Sequence, residues 1–428
     1  MRWYRCTTKA VFTGVFVSLL VAASIATTSA YTVQNTNMSA VVAYYDLNHN
    51  GIIDFTEVTK AIQDWLHNSL DFSNLVSIID AWVTNTTIKT GNVVQYAKNF
   101  QLYYDGPYKI LKVNNSGNWV TYVLYQNGTS PPSNIQGIPI KIPVHRLIAM
   151  STTHLAMLEA INATDCLVGF MYGGGYKIYF PDIAKKLEDG EIVNVGSSWS
   201  PDYEKIVELN PDLVVIYVTP YNEKVAEELK VLGIPYIIDS EWLETTPLGR
   251  DEWVKFFGAI TDRDYAAYMY FEHIVSNVKD VEKIVNNSVN EPKVLWLTVW
   301  SGKIYVPRGD SYVANMIKMD RGDYVFKDLP GTGSAIVDIS DVLVKGQNAS
   351  VLITPNYYVK NVTSLLQSEP WLSQIKAVQI GNVYSITPDY WQLGYLHTDV
   401  VVKDVAAILH PGLFPGYKPR FFVKLPSS

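Results

Sequence analysis

Apolar side chains recur at three- and four-residue spacing from about Arg250 to Val285: Trp253, Phe256, Phe257 and Ile260, then Tyr265, Tyr268, Phe271, Val275, Val278, Val281 and Val285. That period predicts a short helix feeding a long one of roughly 30 Å at about 1.5 Å per residue. Thr261, with Asp264 three residues on, predicts an N-cap and its capping-box partner where the long helix begins. On either side of this strut, short apolar strands alternate with amphipathic helices. The phrase D-Y-E-K-I-V-E-L-N-P-D-L-V-V-I-Y-V-T-P at 202–220 parallels D-I-S-D-V-L-V-K-G-Q-N-A-S-V-L-I-T-P at 338–355, helix then strand, each ending in Thr-Pro. Such alternation predicts parallel sheets covered on both faces, so the fold class is α/β, two similar lobes joined by one long helix.

Ahead of the lobes the period changes to two. A-K-N-F-Q-L-Y-Y-D-G-P-Y-K-I-L-K-V-N and N-W-V-T-Y-V-L-Y-Q-N-G predict paired strands turning around Asn114–Asn118. Earlier still, Asp46-Leu-Asn48-His-Asn50-Gly51-Ile52-Ile53-Asp54-Phe-Thr-Glu57 fits the twelve-residue calcium loop at every position. Asp46, Asn48 and Asn50 would supply side-chain oxygens, Ile52 its carbonyl, Asp54 a direct or water-mediated contact, and Glu57 both carboxylate oxygens. Two helices follow it. The first residues, M-R-W-Y-R-C-T-T-K-A and then V-F-T-G-V-F-V-S-L-L-V-A-A-S-I-A, read as a secretory signal ending in small residues near Ala30, or as a retained anchor. The expected domains are therefore 1–30 signal, 41–84 calcium module, 93–245 first lobe with its leading hairpin, 246–290 connecting helix and 291–425 second lobe.

Charge narrows the partners. Loss of residues 1–30 takes away Arg2, Arg5 and Lys9 and no acid, so the formal charge moves from −7 to −10, which argues against nucleic acid. Cys6 leaves with the signal and Cys166 remains alone, a small buried hydrophobe with no disulfide partner in the mature chain. No cysteine ends the apolar run, so a bacterial-type lipid anchor is not expected. Asn-x-Ser/Thr triplets at Asn37, Asn85, Asn114, Asn127, Asn162, Asn286, Asn348 and Asn361 fit a glycosylated cell-surface protein.

Catalytic templates are absent: no G-x-S-x-G, no H-E-x-x-H, no P-loop and no clustered His/Cys set. Ligands of open α/β sheets bind beyond the carboxyl ends of strands. The expected strand-end turns carry Tyr172, Tyr176, Trp199, Tyr221, Trp242, Trp300, Arg308, Tyr312 and Trp391, an aromatic wall in which Arg308 is the one cation. That wall suits a large, partly apolar, metal-bearing chelate better than a bare ion.

H-R-L-I-A-M-S-T-T-H-L-A-M-L-E-A-I, L-K-V-L-G-I-P-Y-I, P-L-G-R-D-E-W-V-K-F-F-G-A-I, Y-V-P-R-G-D-S-Y and L-H-P-G-L-F-P, in this order, resemble the ferric-siderophore and cobalamin class of ABC-importer substrate-binding proteins. The resemblance covers about residues 93–425. It implies two Rossmann-like lobes, a chelate held in the cleft between them, little hinge motion, and no enzymatic activity. It also implies an acid on each lobe that meets the membrane permease: Glu204 on the first and Asp341, with Asp338 as rival, on the second. Residues 41–84 resemble a dockerin-like EF-hand module of exported archaeal proteins with one calcium loop in place of two, which implies a surface partner or a calcium-stiffened spacer. The competing expectation is an exported enzyme or adhesion protein displayed through that module.

Overall fold

The computed structural model describes residues 38–219 and 222–428, so the apolar N-terminal run and Tyr221 lie outside the described residues. Two compact units divide the chain. One comprises residues up to Val93 with Gln101–Lys112 and Thr121–Ile142; the other comprises Val94–Phe100, Val113–Val120 and Pro143–Ser428. The stretch expected to lead into the first lobe is thus shared between the units.

In the first unit, helices Phe55–Leu66 and Phe72–Thr84 follow the short helix Ala40–Tyr44. They bury Val58, Ala61, Leu75 and Ile78, the inward positions of two amphipathic patterns. Strands Phe100–Asp105, Tyr108–Asn115, Asn118–Gln126 and Ile138–Ile142 form a four-stranded sheet in that order. The first period-two run is broken into two strands at Gly106-Pro107. The turn expected near Asn114–Asn118 is the pair Ser116 and Gly117, with φ of 52° and 97°, the left-handed conformations a two-residue hairpin loop requires.

The second unit holds both α/β lobes. Its first sheet runs Tyr236–Ile238, Leu213–Ile216, Leu147–Ala149, Leu167–Phe170, Val193–Asn194, all parallel. Leu213–Ile216 is buried along its whole length, as a strand covered on both faces must be. The second sheet runs Asp323–Tyr324, Lys293–Trp296, Val351–Ile353, Val383–Ile386, Phe422–Lys424, parallel except for the last strand. Thr298–Trp300, Lys303–Pro307 and Ser334–Val337 make a small antiparallel sheet of their own.

The strut is the 22-residue helix Asp264–Val285, packed on Val254–Thr261 and on Thr398–Leu409. It buries Phe271, Val275, Val278, Val281 and Val285 of the stripe read from the sequence, and Ile274 beside them, while Tyr265 and Tyr268 are only half-buried. Its start differs from the expectation. Thr261 ends the preceding helix and its hydroxyl donates back to Phe257 O at 2.7 Å, while Asp262 takes the left-handed turn at φ 55°. Arg263, whose side chain accepts no capping N–H, occupies the N-cap position. The hydroxyl that would have capped one helix is used to close the other.

Two buried acids hold the segment that enters this unit. The carboxylate of Glu252 accepts the backbone N–H groups of Gln95, Tyr96 and Ala97 at 2.6–3.1 Å and pairs with Lys255 Nζ at 2.7 Å. Glu244 accepts those of Lys98 and Asn99, and the Trp253 indole N–H at 3.1 Å.

Candidate functional site

Helix Thr152–Ala160 starts at the carboxyl end of strand Leu147–Ala149, where Ser151 Oγ takes the Thr153 N–H. Its first residues face two cavities. The first, about 360 Å³, lies within the first lobe and is lined by Ser151, Thr152, Tyr172, Gly173, Tyr176, Ser197, Trp199 and Tyr217 among others. The Tyr172 hydroxyl donates to the Tyr176 carbonyl, and the two rings meet edge-on with centroids 4.9 Å apart. Burial pushes the Tyr176 phenol up to about 12, so it stays a neutral donor at any physiological pH.

The second cavity, about 300 Å³, lies between the lobes. Thr153, Trp242, Pro247 and Arg250 come from the first-lobe side; Tyr312, Met316, Tyr390, Trp391, Tyr395, Thr398 and Val401 come from the second. Arg250 sits in helix Pro247–Asp251, which the sequence starts with Thr246 as N-cap and proline at the first turn. Its Nε and Nη2 both donate to Glu241 Oε2, at 2.9 and 2.7 Å. Its guanidinium lies 4.4 Å from the Tyr312 ring centroid and 4.8 Å from that of Tyr395. Burial works against the Arg250 charge, but the adjacent Glu241 carboxylate outweighs it and holds the guanidinium protonated. Burial in turn lifts the Glu241 carboxyl, against the pull of Arg250.

Behind the wall the polar chain continues. His154 Nε2 lies 3.2 Å from Asp239 Oδ2, while its Nδ1 accepts the Met150 N–H, which fixes it as a buried structural histidine. Asp239 Oδ1 accepts the Glu241 N–H at 2.8 Å. Asp251 accepts from the Thr398 hydroxyl at 3.1 Å, and burial pushes its carboxyl well above the usual range. The lobes are also stitched by side-chain amides. Gln392 accepts the Tyr179 N–H and donates to Lys177 O, at 2.9 and 2.8 Å, and Asn315 donates to Thr245 O at 2.8 Å.

Six of the aromatics expected from strand-end position line these cavities: Tyr172, Tyr176 and Trp199 the first-lobe one, Trp242, Tyr312 and Trp391 the interlobe one. Trp300 lines neither. It tips the hairpin Thr298–Pro307 and is 67% exposed, because the chain there turns into a second strand and not into a helix. Arg308 also lines neither, and its Nη1 donates to Pro330 O at 2.9 Å. The cation in the cavity wall is Arg250. Its signal was the phrase P-L-G-R-D-E-W, where an arginine precedes a helix apolar at most positions; Tyr390 and Tyr395 lay in a stretch that Pro388 and Gly394 disguise as a loop.

The calcium-loop residues form a closed turn in the first unit. Asp46 accepts the N–H groups of Asn50 and Gly51 at 3.0 and 2.8 Å, and Glu57 those of Leu47, Asn48 and Asp54 at 2.7, 3.2 and 2.8 Å. Asp54 caps helix Phe55–Leu66 in a capping box with Glu57, and Asn48 donates to Asp54. Asn50 accepts the Ile52 N–H. Gly51 has φ 84°, and a Cβ there would lie 2.6 Å from the Gly106 carbonyl carbon. Burial, with some repulsion from Glu57, pushes the Asp46 carboxyl up to about 7.

Glu204 and Asp341 are both exposed, each in the first turn of a helix that feeds a central parallel strand of its lobe. Asp202 and Asp338 are the N-caps of the two helices. Counting from those caps, the residue equivalent to Glu204 is Ser340, one position before Asp341.

The profile described as periplasmic binding protein matches residues 147–390, which include the first sheet, the strut and all of the second sheet but its last strand. An uncharacterized lipoprotein of Methanocaldococcus jannaschii is 37% identical over 369 residues, which cover 80% of this chain and 88% of the relative. The chain belongs to the periplasmic binding protein family. As a periplasmic binding protein it is a solute binder and not an enzyme. The solved petrobactin-binding protein of Bacillus subtilis superposes with a TM-score of 0.52 at 15% identity, covering 70% of this chain and 98% of that one. A heme-binding protein of Roseiflexus does so with 0.50 at 18% identity, covering 63% and 99%. These likenesses establish the fold. Among the described residues no helix is long and apolar enough to cross a membrane.

Proposed function

We propose that this periplasmic binding protein is the extracellular substrate-binding component of an ABC importer and captures a metal chelate, a ferric siderophore or a corrinoid, in the cleft between its lobes. The observation that carries the reading is the interlobe cavity, walled by Trp242, Tyr312, Tyr390, Trp391 and Tyr395, with Arg250 paired inside the wall. Aromatic faces with few polar contacts suit a bulky, partly apolar ligand. At about 300 Å³ the cavity accepts part of such a ligand, and the neighbouring first-lobe cavity offers hydroxyls for the remainder. The names of the solved neighbours, one for petrobactin and one for heme, support a metal chelate in the broad sense, and the archaeal relative's name as a lipoprotein supports an exported protein. Glu204 and Asp341 are the proposed permease contacts, one exposed acid on each lobe. Native mass spectrometry with metal analysis, on protein purified from its own source, tests the reading. A bound species of several hundred daltons or more with one metal supports it; a stoichiometric bare ion contradicts it.

We also propose that Asp46, Asn48, Asn50, Ile52, Asp54 and Glu57 hold one calcium ion. Burial raises the proton affinity of both Asp46 and Glu57, only 6% and 1% exposed, with repulsion from Glu57 adding at Asp46 and from Asp54 at Glu57, and a divalent cation relieves that repulsion. The ion would stiffen a dockerin-like module that tethers the protein or meets a cell-surface partner.

A further inference from the structure

The two cavities are unusually poor in available charge. Among the described residues that line them, Arg250 is the one charged side chain. Its positive charge is already met by two hydrogen bonds to Glu241 and by the faces of Tyr312 and Tyr395. A ligand anion would have to displace Glu241, leaving a buried carboxylate without its partner, which costs on the order of a hundredfold or more in an equilibrium constant. Another buried acid, Asp239, stands behind the same wall at 1% exposure. Aromatic rings present their electron-rich faces, which attract cations and repel anions. The N-terminus of helix Thr152–Ala160 already gives the Thr153 N–H to Ser151.

We infer that the cleft selects an uncharged or cationic chelate and discriminates against chelates bearing free carboxylates or net negative charge. The inference rests on the chelate-binding reading above and names the charge class within it. Neutral corrinoids and neutral or cationic ferric hydroxamates meet the requirement; heme with its propionates, ferric citrate and ferric catecholates do not.

Isothermal titration of the whole protein against cyanocobalamin, ferrichrome and ferrioxamine B, and against hemin, ferric citrate and ferric enterobactin, tests this. At least one of the first three should bind, and every anionic chelate should bind about tenfold more weakly or worse. An anionic chelate that binds as tightly as the best of the others overturns the charge selection and leaves the chelate reading standing. Failure of all six to bind overturns both. Two variants check the cause. Glu241→Gln frees Arg250, and Trp391→Arg places an unpaired cation at a half-exposed position that does not depend on repacking the core. Each folded variant should shift the ratio of anionic to neutral affinity by about tenfold towards the anionic chelates. An unchanged ratio in Trp391→Arg overturns the inference, even where Glu241→Gln fails to fold.

Discussion

The pairing of Arg250 with Glu241 sets a large and specific stability effect. In Arg250→Met the cavity wall keeps a side chain of similar length, but Glu241, 7% exposed, loses its guanidinium partner. Removing one member of a buried pair costs about 3–5 kcal/mol. The lost stacking on Tyr312 and Tyr395 adds about 0.5–1 kcal/mol for each ring. A total of about 4–7 kcal/mol, at roughly 2–4 °C per kcal/mol for a large domain, predicts a fall in Tm of roughly 8–28 °C. The pH dependence has a definite sign. Burial already holds the folded-state Glu241 carboxyl above its ordinary value, and loss of Arg250 lifts it further. A carboxyl whose pKa is higher folded than unfolded destabilises the protein when ionised and ceases to do so as it protonates. The deficit of Arg250→Met is therefore largest near neutrality and narrows as the pH falls towards 5. Adding Glu241→Gln should recover most of the loss at pH 7. Differential scanning calorimetry of the two variants and the wild type across pH 5–8 measures all of this. An Arg250→Met protein within about 1 kcal/mol of wild type at pH 7, or one whose deficit grows on acidification, would refute the reasoning.

Three further outcomes follow from particular contacts. Glu57→Ala should abolish a single calcium site seen by calorimetry on the whole chain, and equal binding by that variant removes the assignment. Glu252→Ala orphans three backbone N–H groups and removes the ion-pair carboxylate of Lys255, so it should cost about 3 kcal/mol or more and deprotect the amides of Gln95–Ala97 in hydrogen exchange; retained protection contradicts the proposed role of the carboxylate. Lysine at both Glu204 and Asp341 should block uptake while leaving chelate affinity within about twofold of wild type, and undiminished transport would dismiss these acids as the permease contacts.

Much of the scaffold was legible because it follows from periodicity. Leu213–Ile216 and Val351–Ile353 are short apolar runs bounded by turns, and the stripe from Phe271 to Val285 has one period throughout. Local competition was harder to read. Thr261 had two carbonyl or amide partners within reach, and only the packed helices decide that it closes the first helix. Helix Tyr390–Leu396 contains a glycine and follows a proline, so propensity argues against it, yet Tyr390 and Gln392 are buried and hold it in place. Strand-end logic found half of the interlobe wall. It missed Arg250 because the value of that residue comes from Glu241, Tyr312 and Tyr395, partners that no local pattern brings together. It over-weighted Trp300 because a hairpin and a strand-to-helix turn look alike when both open with a strand and a polar pair, and Arg308 because the strand that leads into its turn belongs to the small antiparallel sheet and not to the parallel one.

The central claim is that a chelate occupies the aromatic cavity between the lobes. Its most direct test is tryptophan-fluorescence titration of the wild type and of Trp391→Ala, with cyanocobalamin and ferrichrome on one side and bare ferric, zinc and manganese ions on the other. Truncating an aromatic anchor of a binding pocket costs a few kcal/mol. Saturable quenching by a chelate is expected, weakened roughly tenfold or more in Trp391→Ala, with no tight response to any bare ion. Tight binding of a bare ion with no response to either chelate, or chelate affinity untouched by Trp391→Ala, would contradict it.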